Sequence, residues 1–121
     1  MPKYMLVLRD DPKQFASMSP SEMQAVLEKF GAWASGLAAQ GRLVGGHKLQ
    51  DDGGRTMRKV GARVTSKDGP FVETKEIVSG YFIISADDYD HAVKLCDDHP
   101  IFSYDGLLEI RAVDFMGQPE T

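Results

Sequence analysis

Asp68-Gly69-Pro70-Phe71-Val72-Glu73-Thr74-Lys75-Glu76 runs directly into Ile77-Val78-Ser79-Gly80-Tyr81-Phe82-Ile83-Ile84-Ser85, and this passage from turn to strand decides the fold. Asp-Gly-Pro specifies a sharp reversal, because Asp bonds its own backbone, Gly accepts positive φ and Pro fixes φ. Phe71 then anchors a short hairpin arm over Phe71 to Thr74. In the strand that follows, Tyr81 and Ile83 fall on one face and Phe82 and Ile84 on the other. A strand that is apolar on both faces belongs inside a sheet covered on both sides.

Outward from this passage the same logic orders the chain. Lys3 to Arg9 is a second doubly apolar strand, with Tyr4, Leu6 and Leu8 on one face and Met5 and Val7 on the other. Asp10 to Ser19 reads as a loop. Ser19-Pro20-Ser21-Glu22 opens a helix, with Ser19 as cap, Pro20 at the first position and Glu22 completing a capping box. Apolar residues recur at Met23, Val26, Leu27, Phe30, Ala34, Leu37 and Ala38, and Gly41 supplies the stop. Close packing against a sheet is the expected reason for Gly31 and Gly36 inside that helix. Arg42 to Leu49 is a strand whose Gly45-Gly46 suggests a bulge or close backbone approach. Asp51-Asp52-Gly53-Gly54 is a turn, and Arg55 to Ser66 reads as one strand. Asp87 caps a second helix that runs to His99-Pro100, and Leu107 to Phe115 is the last strand.

Without the Gln50 to Glu76 excursion the order is strand, helix, strand, strand, helix, strand. That is an α+β plan, the ferredoxin-like split βαβ with an inserted β-hairpin. Two helices cover only one sheet face, so the apolar second face calls for a twin subunit. The pattern therefore predicts a homodimer with two sheets facing each other. The alternative is that the inserted hairpin folds back over that face.

Composition bounds the function. At 121 residues the chain makes one domain, residues 1–116, with 117–121 as a loose tail. A net charge of −4 argues against nucleic acid, since phosphate contacts need clustered Lys and Arg. Arg55, Arg58, Lys59 and Arg63 form the densest basic group and read as a solvated strand face. The single cysteine, Cys96, excludes an internal disulfide and a multi-thiolate metal site; it sits in an apolar helical pattern as a buried, inert thiol. The opening Met1 to Arg9 is too short for a signal segment, and no run reaches the ~20 apolar residues of a membrane span. These features predict a cytoplasmic protein with no membrane partner.

Several landmarks together resemble the DGPF group of the YCII-related family. They are Lys3-Tyr4-Met5-Leu6, then Gln40-Gly41-Arg42-Leu43 with Gly45-Gly46, then Asp68-Gly69-Pro70-Phe71 with Glu73, Lys75 and Glu76. Gly80-Tyr81 and Leu108-Glu109-Ile110-Arg111-Ala112-Val113 complete the set. The resemblance implies a dimeric α/β barrel, two ferredoxin-like sheets enclosing small-molecule clefts. Many YCII-related proteins pair a His on the first helix with an Asp near the end of the second as an acid–base dyad. Aligned without gaps on Gly41-Arg42-Leu43, this chain places Phe30 near the first position and Asp98-His99 at the second. The dyad is not intact and is not transferred.

Candidate chemistry follows from residue type. His99, with an ordinary pKa near 6.5, suits a general base, and Asp98 and Glu76 are the accompanying catalytic candidates. The alternative for His99 is an exposed helix-end residue complementing the dipole. Lys75, Glu73, Tyr81 and His47 are the ligand-binding candidates: Lys75 as an anion anchor, Glu73 as a charged wall, Tyr81 as a stacking ring, and His47 on a strand position that faces either the dimer cleft or solvent. Asp68, Gly69, Pro70 and Phe71 form a structural turn. His47, His91 and His99 lack the convergence of a metal site, and no P-loop, G-x-G-x-x-G, G-x-S-x-G or C-x-x-C motif occurs, so no metal or cofactor is expected. The readings are a small-molecule-binding homodimer, with or without cofactor-independent acid–base chemistry on a small metabolite, or a non-catalytic ligand-sensing or regulatory accessory module.

Overall fold

The computed structural model describes residues 1–69 and 76–118. Its central sheet has the order β2-β5-β1-β6, built from β1 (Lys3–Asp10), β2 (Leu43–Lys48), β5 (Ile77–Ser85) and β6 (Leu107–Ala112). All its neighbours are antiparallel, with Leu6 opposite both Phe82 and Ile110. With α2 (Pro20–Ala39) after β1 and α3 (Tyr89–Leu95) after β5, this is the ferredoxin-like α+β arrangement the sequence predicts. Between β2 and β5 stands a separate two-stranded sheet, β3 (Arg55–Val60) with β4 (Arg63–Asp68).

Alternation places the core. Tyr4, Leu6 and Leu8 of β1 are buried on the helix side with Ile84, and they meet Trp33 and Leu37 of α2 and Ala92 and Cys96 at α3. The opposite face carries Met5, Val7, Tyr81 and Ile83, all half-buried, together with an Arg9–Glu109 ion pair at 3.3 Å. Among the described residues β3 and β4 pack chiefly on each other, and their positions are almost all exposed.

Local signals were obeyed at α2. Ser19 accepts from the Glu22 N–H while the Glu22 carboxylate accepts from the Ser19 N–H, closing the capping box. At the other end Gly41, at φ +71°, donates to Ala38 O, and Arg42 donates to Leu37 O. That pair of bonds is the Schellman stop.

Five expectations change. Asp10 to Ser19 is not all loop: Asp11 caps a short helix α1 (Pro12–Ala16), whose first residue is Pro. Arg55 to Ser66 is two strands, because Gly61, at φ +61°, opens the two-residue Gly61-Ala62 turn with the positive first φ of a type II′ hairpin. The cap of α3 is Asp88, which accepts from His91 N–H, while Asp87 pairs with the His91 ring. α3 ends at Leu95 rather than His99, and a 3-10 turn covers Pro100–Ser103. Finally, an added Cβ at Gly31 or Gly36 would meet nothing, so tight packing does not explain either glycine. Gly46 is different: its Cβ would lie 2.6 Å from Tyr81 O and 2.7 Å from Phe82 Cδ1. The bulge between Leu43 and Gly45 and this close approach are both features anticipated for Gly45-Gly46.

Candidate functional site

Beneath α2 the helix side of the sheet is not filled. A cavity of about 290 Å³ lies between α1, α2 and the β2-β5-β1 strands. Phe15, Met23, Val26, Leu27 and Phe30 form its helical walls, and Leu8 and Phe82 come from the sheet. Its floor exists because Gly46 and Gly80 occupy the positions where alternation would aim side chains toward the helix. Such space, apolar with few polar groups, is the usual character of a small-molecule site.

The polar groups cluster at one point. Asp10 follows Tyr4, Leu6 and Leu8 on the buried face of β1 and is fully buried. Its Oδ2 accepts from Ser79 Oγ at 2.9 Å and from Tyr104 Oη at 3.1 Å; both of these residues line the cavity. Ser79 reaches this place because a bulge in the β1–β5 register skips it between Leu8 and Arg9. Among the described residues Asp10 Oδ1 has no partner. Burial raises the Asp10 pKa above the ordinary carboxylate value, and the bonds from Ser79 and Tyr104, with the Lys48 charge, pull partly against that rise. Burial and the neighbouring carboxylate push the Tyr104 hydroxyl up strongly. Chemically, Tyr104 joins the cavity to a buried carboxyl that holds a proton more tightly than usual. This is a route by which a proton can pass between a bound molecule and Asp10.

The residues singled out in sequence are dispersed. His99 is buried, with 2% exposure, so its reading as an exposed helix-end residue is corrected. It caps the 3-10 turn instead, its Nδ1 accepting from Ile101 N–H at 3.0 Å, which leaves the proton on Nε2, where no partner stands among the described residues. Trp33, Phe30 and Phe82 surround its ring with centroids 4.4, 5.5 and 5.8 Å away. Burial lowers its pKa to about 4, with the Asp98 charge opposing weakly. Asp98 itself is exposed, and Glu76 lines a separate pocket with Arg9 at the base of the hairpin. These three do not converge.

His47 and Tyr81 do meet: His47 Nδ1 and Tyr81 Oη are 2.7 Å apart. Their register pairs them directly, and alternation directs both side chains toward the open sheet face beside Val7, while both residues also border the cavity. Trp33 is core, donating to Leu95 O. Asp68 binds Arg55 at 3.2 Å and Gly69 holds φ +85°. Pro70, Phe71, Glu73 and Lys75 lie outside the described residues. Cys96 is buried and its thiol is pushed up to about 12 by burial. Among the described residues no group of three or more His, Cys, Asp or Glu is placed to hold a metal ion, and no helix is long and apolar enough to cross a membrane.

Sequence reasoning missed Asp10, Ser79 and Tyr104. One signal was present for Asp10: it continues the Tyr4-Leu6-Leu8 series at a spacing of two, which puts a carboxylate on the buried face.

Fold and cavity together define a small ferredoxin-like α+β protein with a pocket between its first long helix and its sheet. The chain belongs to the YCII-related family, whose domain matches residues 2–116. Comparison with curated proteins gave no match.

Proposed function

We propose that the protein is a cytoplasmic homodimer that binds a small, largely apolar molecule in the cavity beneath α2. The cavity carries this reading: about 290 Å³ of largely apolar space whose polar lining includes Ser79, Tyr104, Lys48 and Asp51. Ser79 and Tyr104 spend their protons on Asp10, so toward the cavity they offer lone pairs, and the favoured ligand carries a hydrogen-bond donor. The half-buried Met5, Val7, Tyr81 and Ile83 face supports the dimer, since apolar sheet faces are normally covered.

The Asp10–Tyr104 bond favours a second reading, cofactor-independent acid–base chemistry on the bound molecule, with Asp10 as proton store and Tyr104 as the group in contact. If the ligand leaves unaltered, the same pocket serves a sensing or accessory module.

Native mass spectrometry of gently purified protein tests the proposal. The expected result is a dimer carrying a small extra mass that Leu27→Trp, at the cavity rim, diminishes. A monomer refutes the dimer. A dimer with no adduct, and no thermal shift with a panel of small aromatic alcohols and amines, refutes the pocket.

A further inference from the structure

We propose that the β3–β4 hairpin of one copy docks on the outer surface of α3 of a second copy, reciprocally across a two-fold axis. This rests on the homodimer reading and adds the surface that holds the copies together.

The hairpin is hardly covered by its own chain. Except for Thr56, every position of β3 and β4 is exposed, and among the described residues the two strands form a sheet of their own. An isolated two-stranded hairpin is marginal in water and gains from being covered. The pairings Thr56–Lys67, Arg58–Thr65 and Val60–Arg63 put Arg58, Val60, Arg63 and Lys67 on one face. That face is an apolar residue, 60% exposed, among three cations and no carboxylate.

The outer surface of α3 is its complement. Val93 is 51% exposed, with Asp90 three residues before it on the same stripe and exposed Asp97 and Asp98 in the turn just after the helix. No ion pair engages Asp90, Asp97, Asp98, Arg63 or Lys67 among the described residues. The chain has 14 cationic and 18 acidic side chains; residues 55–68 hold five of the cations and one of the acids, so the rest has nine cations against 17 acids. A basic arm on an acidic body suits a copy of itself, whereas that body repels a polyanion such as nucleic acid.

Geometry makes the contact intermolecular. The hairpin leaves the sheet at the β2 edge, while α3 packs beside β6 at the opposite edge. Six residues of strand span about 20 Å, enough to cross onto a neighbour. Closed two-fold symmetry then engages both arms.

Charge reversal tests this. Arg63→Glu and Asp97→Lys, both exposed, are each expected to raise the dimer dissociation constant roughly tenfold by sedimentation velocity, the effect of turning attraction into repulsion at an interface. An equimolar mixture of the two single variants restores complementary pairs at both arm sites of the heterodimer, and its dissociation constant returns toward wild type. A wild-type dimer whose constant ignores both variants, or a mixture that fails to recover, overturns the docking and leaves the homodimer standing. A wild-type monomer at micromolar concentration overturns both.

Discussion

Acid should loosen this protein through His99, and the size of the effect can be worked from its surroundings. The ring lies among Phe30, Trp33 and Phe82 with its Nδ1 committed to Ile101 N–H, so a second proton would have to replace that bond and charge a buried ring. Burial takes its pKa from 6.5 to about 4. Because the folded value is below the unfolded one, the unfolded chain takes the proton first as pH falls. Stability is therefore complete above pH 6.5 and declines as pH drops toward 4. At ~1.4 kcal/mol per unit, the full loss is about 3 kcal/mol. Asp10 acts with the opposite sign: its folded pKa is raised, so the folded chain takes that proton first, and the gain at low pH disappears as pH rises through the raised value. Urea unfolding at a fixed protein concentration, followed by the fluorescence of Trp33, the only tryptophan, gives the slope directly. His99→Asn keeps a capping oxygen for Ile101 N–H but cannot titrate, so its stability should fall about 3 kcal/mol less than wild type between pH 6.5 and 4. Equal slopes in the two proteins, or a His99 ring that titrates near 6.5 by NMR, would refute the reasoning.

The glycines give a paired prediction. Gly31→Ala and Gly36→Ala place a methyl in open space and should each stabilise by roughly 0.5–1 kcal/mol in urea melts, whereas Gly46→Ala meets Tyr81 O at 2.6 Å and should cost roughly 1–3 kcal/mol; a stabilised Gly46→Ala would sink the close-approach argument. Tyr104→Phe removes one of the two donors to Asp10, so the Asp10 pKa should climb further in a carboxyl NMR titration, and an unchanged value would separate Tyr104 from the proton route. Ser19→Ala opens the capping box and should lower stability by about 1 kcal/mol; no change in a thermal melt would show that the helix start is held by packing alone.

Much of the fold was legible because it rests on local rules that nothing later contradicts. The two doubly apolar strands, the capping box at Ser19 and the stop at Gly41 each name their element within a few residues, and their order leaves few topologies. The errors came where two local signals compete. Asp11-Pro12 is a helix start, but the helix it opens is only five residues long, too short for a periodic pattern to show. Gly61-Ala62 is a turn hidden in an otherwise continuous alternation from Arg55 to Ser66. The site was less legible because it is assembled from afar: Asp10 meets Ser79 across 69 residues and Tyr104 across 94. Ser79 reaches it through a register bulge that composition does not announce. His99 drew attention as a titratable residue at a helix end, yet its neighbours in space are aromatic, and those neighbours set its chemistry.

That contrast bears on how this chain departs from the acid–base dyad of many YCII-related proteins. Phe30 stands near the dyad's histidine position, where it lines the cavity and meets the His99 ring edge-on at 5.5 Å. A charged His99 would gain only the pull of Asp98, which is itself exposed, and the apolar Phe30 favours the neutral ring instead. The wall of the pocket is thereby made hydrophobic where a proton carrier would otherwise sit. The ionisable groups at the cavity stand on the sheet side rather than on the helix: His47, Lys48 and Asp51 line it, and Asp10 lies behind Tyr104. Proton chemistry in this pocket therefore approaches a ligand from the sheet, so a productive ligand presents its polar end to the sheet and its apolar body to α2.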